Sequence, residues 1–231
     1  MKYHRPSNER GRGFHGWLDS RHTFSFANYY DAGHMGFGPL RVINEDKVLA
    51  GHGFDTHPHR NMEIISYVVE GALEHRDSMG EVAIIKRGDV QRMSAGTGVY
   101  HSEYNASKEN PVHFLQIWIM PDTKNISPTY AQKRFEDLDG KLRLVASHDG
   151  RDGSISIHAS VDLYASKLKE KEIAHLQIGK DRGVWVQLVH GQIFVNGQLL
   201  EAGDGLALAK TPDVSIVAED SSEFLLFDMA L

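Results

Sequence analysis

The strongest constraint on the fold is an internal duplication, in which two halves of the chain carry the same order of strands and glycine turns. In the first half, residues 68–71 (VVEG) are followed by residues 85–89 (IKRGD). In the second half, residues 188–191 (LVHG) are followed by residues 200–204 (LEAGD). Glycine at such turns adopts a left-handed backbone at little steric cost. The duplication therefore predicts two β modules in tandem.

Short segments of β character predict the strands of these modules. Each is rich in β-branched or aromatic residues and is bounded by Gly, Asp, Asn or Pro. They cover residues 23–26, 40–43, 62–69, 82–85 and 112–120 in the first half, and residues 142–145 at the start of the second. Between the halves the composition becomes polar, and residues 129–138 (TYAQKRFEDL) are expected to form a short helix. We expect an all-β chain with one module at residues 1–136 and the other at residues 137–231.

The composition excludes several classes of function. The formal net charge of -6 and the lack of a Lys/Arg cluster argue against direct binding of nucleic acid. The chain starts without a signal-peptide pattern and contains no run of eighteen apolar residues, so we expect a cytoplasmic protein with no membrane contact. It also contains no cysteine, which excludes disulfides, thiolate ligands and iron-sulfur clusters. Any metal must therefore be held by nitrogen and oxygen donors.

Two pairs of side chains with strand spacing predict a metal site in the first half. His57 and His59 are one residue apart, and further along the chain His101 and Glu103 are again one residue apart. Because residues i and i+2 of a strand lie on the same face, each pair directs two side chains into one cavity. Imidazole nitrogens with a carboxylate oxygen suit divalent Fe, Mn, Co, Ni, Cu or Zn.

The second half lacks this set of ligands. When the halves are aligned on their turn glycines, the four ligand positions correspond to Gln177, Gly179, Ile216 and Ala218. Ten of the fourteen histidines also precede Pro121, which agrees with chemistry confined to the first half. The sequence therefore predicts a single metal site, in the first module.

The motifs around these residues resemble the cupin family. Residues 51–71 are close to the first cupin motif, and residues 88–96 begin like the second. Two departures are informative, because Ser94 stands where cupins usually carry proline, and His101 comes two residues late and is followed by Glu103. These departures are typical of the pirin family.

Further segments strengthen the resemblance to pirins. Residues 21–26 (RHTFSF), 57–63 (HPHRNME) and 93–103 (MSAGTGVYHSE) look like pirin sequence, most of all like the bacterial pirin-like quercetin 2,3-dioxygenases. The resemblance implies two tandem cupin barrels, each a double-stranded β-helix or jelly roll. It also implies one divalent transition metal in the N-terminal barrel, with ligands at the positions of His57, His59, His101 and Glu103.

The same resemblance implies an activity and an alternative to it. Some family members open the ring of a flavonol such as quercetin with O2 and release carbon monoxide, so the expected partners are a small aromatic substrate and O2. Pirins are also known in animals as nuclear interaction partners of transcription factors. The alternative is therefore a metal-dependent protein-interaction or redox-sensing module without turnover, which would take a protein partner.

The identity of the acidic ligand is open between two residues. Glu63 has the same strand parity as His57 and His59 and is the usual acidic ligand of generic cupins, whereas Glu103 is the choice of pirins. We favour Glu103, as metal ligand and catalytic proton acceptor together. Glu63 is then expected to accept the N-H of a ligand imidazole and so to fix its tautomer.

Two further expectations concern the substrate entrance and the assembly. Phe37, Phe54 and Met93 are expected to line an apolar entrance for a planar aromatic substrate. Because tandem modules can cover each other's sheets, we expect a monomer.

Overall fold

The computed structural model describes residues 2–231 and consists almost entirely of β-strands. The strands of the first half are β1 Lys2–Arg5, β2 Gly11–Phe14, β3 Leu18–His22, β4 Leu40–Val48, β5 Gly53–His59, β6 Glu63–Glu70, β7 Ala72–Asp77, β8 Val82–Lys86, β9 Asp89–Ser94, β10 Val99–Asn105, β11 Val112–Ile119 and β12 Thr129–Arg134. Those of the second half are β13 Arg143–Ser147, β14 Ile155–Ser156, β15 Val161–Leu168, β16 Ile173–Gln177, β17 Arg182–His190, β18 Gln192–Val195, β19 Gln198–Glu201, β20 Gly205–Ala209, β21 Asp213–Ala218 and β22 Ser222–Ala230. Short 3-10 helices at Ser7–Glu9 and Arg151–Gly153 complete the set, and no helix in residues 2–231 has the length and apolar character needed to span a membrane.

Four sheets build two barrels with the same order of central strands. The first barrel combines a seven-stranded sheet, β12-β9-β6-β11-β4-β3-β2, with a four-stranded sheet, β5-β10-β7-β8. The second combines β1-β20-β17-β22-β15-β13-β14 with β16-β21-β18-β19. The predicted all-β fold of two tandem cupin barrels is therefore confirmed.

The first strand of the chain belongs to the sheet of the second barrel. β1 runs antiparallel to β20, with Tyr3 opposite Ala207, and occupies the edge that β12 occupies in the first barrel. The division into modules at residues 1–136 and 137–231 stays a prediction, and residue 1 lies outside the described part of the chain.

The two seven-stranded sheets pack face to face and bury the largest apolar cluster of the molecule. Ile43 and Ile117 of the first sheet meet Trp185 and Phe227 of the second in this cluster. Burying an aliphatic or aromatic side chain of this size contributes about 1.5–3 kcal/mol. Because alternate residues of a strand point to opposite faces, the neighbours of these side chains point into the barrels instead.

The predicted helix at residues 129–138 is wrong. Thr129–Arg134 forms the edge strand β12, which pairs with β9 from Thr129 opposite Ser94 to Arg134 opposite Asp89. This pairing satisfies backbone groups along an otherwise open sheet edge, and the burial of Phe135 and Leu138 in the cluster between the barrels anchors the segment that follows. Tertiary pairing here outweighs the local helix propensity.

The predicted strand at residues 23–26 is also wrong, because β3 ends at His22. The carbonyl of Thr23 accepts a hydrogen bond from Nε of Arg5 at 3.2 Å, and the carbonyl of Ser25 accepts one from Arg41 at 2.9 Å. Side chains thus bind these two carbonyls, while the N–H of Thr23 donates to the Ile43 carbonyl of β4 at 3.0 Å and the N–H of Ser25 donates to the His34 carbonyl at 2.7 Å. A left-handed residue, Ala27 with φ of 49°, then turns the chain.

Candidate metal centre

Three histidines converge on one point between β5 and β10. These strands are antiparallel neighbours, and their register sets His57 directly opposite His101. The Nε2 atoms of His57 and His101 lie 3.0 Å apart. His59, two residues along β5, has its ring centroid 4.8 Å from that of His57 and 4.7 Å from that of His101. The two-residue spacing along β5 and the pairing of β5 with β10 therefore bring together the three histidines that were predicted as metal ligands.

The protonation states of these imidazoles suit metal binding. Burial, with a smaller contribution from the neighbouring imidazoles, lowers the pKa of His59 to about 3 and that of His101 to about 3. Both rings are therefore neutral at pH 7 and offer a lone pair. Nε2 of His59 is buried and has no hydrogen-bond partner within residues 2–231, which is costly for a polar atom. A cluster of neutral imidazoles with an unsatisfied nitrogen fits a divalent metal ion.

Neighbouring groups hold two of the rings in place. Nδ1 of His57 lies 2.7 Å from the carbonyl oxygen of Asp55, a contact that makes Nδ1 the donor and leaves Nε2 as the ligand atom. Nδ1 of His101 lies 3.5 Å from Nδ1 of His75, and Nε2 of His75 lies 3.0 Å from the Asp77 carboxylate. The His75 and Asp77 side chains are fully buried. Such outer contacts orient ligand imidazoles.

Glu103 lies beside the histidines in a network of hydrogen bonds. The register between β5 and β10 shifts between His101 and Glu103, and such an irregularity redirects a side chain. The Glu103 carboxylate accepts hydrogen bonds from the Ser66 hydroxyl at 3.1 Å and from the Gln116 amide at 2.6 Å. Its Oε2 lies 3.9 Å from Nε2 of His101. An almost fully buried carboxylate is thus positioned within reach of the cluster.

In the described chain, two overlapping sets of side chains could hold a metal ion. Within each set the candidate ligand atoms lie within 4.8 Å of one another. One set is His57, His59 and His101, and the other is His75, His101 and Glu103. Glu63 belongs to neither set. Its carboxylate instead accepts a hydrogen bond from the Ser94 hydroxyl at 2.9 Å, so the predicted bond from a ligand imidazole to Glu63 is wrong.

A cavity of about 400 Å³ opens beside His57 and Glu103. Aromatic side chains form much of its wall: Trp17, Phe26, Phe54 and Trp118. This wall fits a flat aromatic ligand, because rings pack well against rings.

Of the three residues predicted to line the entrance, only Phe54 is among the lining residues of this cavity. Phe37 packs towards the second barrel, with its ring centroid 6.1 Å from that of Trp185. Met93 is fully buried in a cluster with Ile64 inside the first barrel. The prediction failed for these two because spacing along the chain does not reveal which sheet face borders the cavity.

The sequence reasoning missed four polar residues of the same cavity. Ser20 and His22 of β3 stand opposite Asp46 and Asn44 of β4, and all four side chains are buried. Burial raises the pKa of Asp46 to about 7, with smaller contributions from the charges of Glu103 and Glu45, and burial lowers the pKa of His22 to about 4. Ser20 with His22 and Asn44 with Asp46 are each two residues apart, and this strand spacing was the available signal.

Comparisons with known proteins show the family that the chain resembles. The Pirin family model matches residues 4–119, and the model of the quercetinase C-terminal cupin domain matches residues 144–229. The quercetin 2,3-dioxygenase of Escherichia coli K12 is 52% identical over 230 residues, which cover 99% of each chain. A pirin-like protein of Caulobacter vibrioides is 38% identical over 98% of each chain. The crystal structure of the E. coli pirin YhhW in complex with nickel(II) matches with a TM-score of 0.96 and 50% identity, covering 100% of this chain and 99% of the other.

Proposed function

The chain belongs to the pirin family, and on that premise we propose that it is a metal-dependent dioxygenase that opens the ring of a flavonol such as quercetin with O2 and releases carbon monoxide. The observation that carries the proposal is the convergence of His57, His59 and His101 beside Glu103, at the edge of an aromatic-lined cavity. The name of the E. coli relative, at 52% identity over the full chain, supports it.

In this proposal His57, His59, His101 and Glu103 hold one divalent transition metal. The set of three imidazoles and one carboxylate suits Fe, Mn, Co, Ni, Cu or Zn, and the nickel complex of the E. coli relative supports an ion of this group. Four protein ligands fill a tetrahedral zinc but leave two positions open on an octahedral ion. When bound, such an ion supplies Lewis-acid charge that lowers the pKa of a substrate hydroxyl.

Glu103 is the proposed acceptor of that hydroxyl proton. Ser66 and Gln116 each donate a hydrogen bond to one of its two carboxylate oxygens, and these bonds hold the carboxylate towards the histidines. A base must lie within hydrogen-bond reach of the proton that it removes, and a substrate hydroxyl bound beside the histidines would bring its proton close to Glu103. Glu103 is then ligand and base together.

The cavity is proposed to hold the aromatic rings of the substrate. The Trp17 and Phe54 rings lie at 5.5 Å, and the Phe26 and Trp118 rings at 5.3 Å, both edge to face. The cavity volume of about 400 Å³ lies in the range of about 300–1,000 Å³ that is typical of small-molecule sites. Apolar walls of this kind exclude water and protect a reactive, deprotonated substrate from side reactions.

Oxygen-dependent turnover tests the proposal. Protein loaded with each of Fe, Mn, Co, Ni and Cu is incubated with quercetin, with and without oxygen, while flavonol absorbance and carbon monoxide are measured. We expect loss of flavonol and release of carbon monoxide only with oxygen and metal. Metal-free protein and Glu103→Gln serve as controls and should be inactive.

Absence of oxygen-dependent turnover with every metal would contradict the proposal. If the metal-loaded protein instead captured a protein partner that the metal-free protein did not, the interaction module without turnover would be the better account.

A further inference from the structure

The cavity beside the metal centre has a polar wall in addition to its aromatic one. We use the term polar wall for Ser20 and His22 of β3 together with Asn44 and Asp46 of β4. The register pairs Ser20 with Asp46 and His22 with Asn44, so the four side chains share one sheet face. Each side chain is at least nine-tenths buried. None of the four belongs to the ligand set proposed above.

Three atoms of the polar wall lack a hydrogen-bond partner anywhere in residues 2–231. They are Nδ1 of His22, Oδ1 of Asn44 and Oδ1 of Asp46. The indole Nε1 of Trp118, which lines the same cavity, is likewise buried without a partner in the described chain. Buried polar atoms are paired in the great majority of cases, so four unpaired atoms around one cavity indicate a group that the chain itself does not provide.

The chemistry of these atoms indicates what that group presents. The unpaired oxygens of Asn44 and Asp46 accept hydrogen bonds, and the neutral ring of His22 can accept as well as donate. The wall therefore favours ligand hydroxyl groups as donors. An anionic ligand end is disfavoured, because the Glu103 carboxylate borders the cavity.

The distance from the metal centre suits a ligand with more than one ring. Asn44 stands opposite Gln116 on the neighbouring strand β11, and Gln116 bonds directly to Glu103. Neighbouring strands are about 4.8 Å apart, so the polar wall begins roughly 5 Å from Gln116 and continues to roughly 10 Å at His22. A ligand with one hydroxyl at the metal centre can present hydroxyls of another ring to this wall.

We propose that the polar wall recognises hydroxyl groups on the part of the substrate that lies away from the metal, so that the site selects polyhydroxylated aromatics. Asn44 and Asp46 accept hydrogen bonds from these hydroxyls, and the Trp118 indole donates one to a hydroxyl oxygen. The inference rests on the proposed function, since it takes the substrate to be a flavonol-type aromatic.

The test is calorimetric titration of the metal-loaded protein without oxygen, so that binding is measured without turnover. Two ligands are compared: quercetin, and a flavonol that carries only the 3-hydroxyl. We expect the wild type to bind quercetin at least about 10-fold more tightly. Asn44→Leu and Asp46→Leu keep the side-chain volume and remove the acceptors. Each should weaken quercetin binding about 10-fold or more and leave the affinity for the other flavonol within about 3-fold.

Ser166→Ala is the control. Ser166 lies on β15 of the second barrel, and its Oγ is buried without a partner within residues 2–231, but it does not line the cavity. This variant should keep both affinities. Metal content and cooperative unfolding of each variant establish that it is folded.

Equal wild-type affinity for the two flavonols overturns the inference, and so does an equal loss for both in the variants. If the protein turns over quercetin but binds the two flavonols equally, the role of the polar wall is refuted and the proposed reaction is not. Selective binding without oxygen-dependent turnover refutes the proposed reaction and leaves the recognition of hydroxyls supported.

Discussion

The two barrels share the order of their central strands but differ in their interiors. The interior of the second barrel is one continuous apolar cluster that includes Ile216 and Ala218, the counterparts of His101 and Glu103. In the first barrel the apolar side chains fall into two separate clusters, one around Phe114 and one around Ile64. The same scaffold therefore builds an apolar core in one half and a divided core in the other.

A row of polar side chains lies between the two clusters of the first barrel. Residues that stand opposite one another on successive strands form it, in the order His22, Asn44, Gln116, Ser66, Gln91 and Gln132. Glu103 reaches this polar row from the other sheet and bonds to its two central members. The candidate metal site is thus part of a polar layer across the first barrel, whereas the apolar contacts between the barrels and within the second barrel stabilise the chain.

Loss of a histidine ligand should give the largest effect. We expect His101→Ala to reduce metal affinity by about 1,000-fold, since the four ligands of structural zinc sites together contribute about 10–16 kcal/mol. Elemental analysis after dialysis and competition with a chelator measure this. His175→Ala, an exposed histidine on β16 of the second barrel, should keep one metal per chain. Full metal retention by His101→Ala would contradict the assignment.

Asp46 should make the metal-free protein less stable as the pH rises. Its folded pKa is raised from 3.8 to about 7, so the unfolded chain loses this proton first, and folding becomes less favourable between pH 4 and 7. The difference amounts to about 4 kcal/mol above pH 7. Urea unfolding of the wild type and of Asp46→Asn should therefore give curves that diverge with rising pH, with the variant more stable. Parallel curves from pH 4 to 8 would show that the buried carboxyl group is not protonated as described.

Removal of a donor from the polar row should weaken metal binding less than loss of a ligand. Gln116→Leu deletes the amide that bonds to Glu103 at 2.6 Å, and loss of such an outer contact typically lowers metal affinity about 10- to 100-fold. Ser166→Ala is the control, because Ser166 is a buried hydroxyl of β15 in the second barrel. An unchanged metal affinity in Gln116→Leu would show that the polar row does not contribute to metal binding.

The smallest expected effect is a change in the free energy of unfolding when either of two buried glutamines is replaced. In the described chain both polar atoms of Gln91 lack partners, whereas the amide of Gln187 in the second barrel donates to the Gly203 carbonyl at 3.0 Å. Gln91→Met should raise the free energy of unfolding by about 1 kcal/mol, and Gln187→Met should lower it by about 1 kcal/mol. Denaturant unfolding measures both. Changes of the same sign would contradict the distinction between an unpaired and a paired buried glutamine.

Features within one strand or one turn were predictable from the sequence. The turn glycines indicated the duplication. The spacing of His57 and His59 predicted one half of the metal site, because residues i and i+2 of any strand lie on the same face. The polar row and the contact of His75 with His101 were not predictable. They join strands that are distant in the sequence, and only the strand order and register bring these side chains together.

Pairing at an open sheet edge explains the wrong helix prediction in the first barrel. Local composition favoured a helix at residues 129–138, but the open edge of β9 provided a partner for Thr129–Arg134. The N-terminal strand β1 pairs with β20, which lies almost at the other end of the sequence. Edge strands depend on which neighbour is free, and one segment alone does not contain that information.

The position of the metal tests the central claim most directly. Crystals of the protein loaded with nickel(II) would locate the ion by its anomalous scattering. The account predicts one ion per chain, in the first barrel, bonded to His57, His59, His101 and Glu103. An ion in the second barrel, or one bonded to Glu63 in place of Glu103, would contradict it.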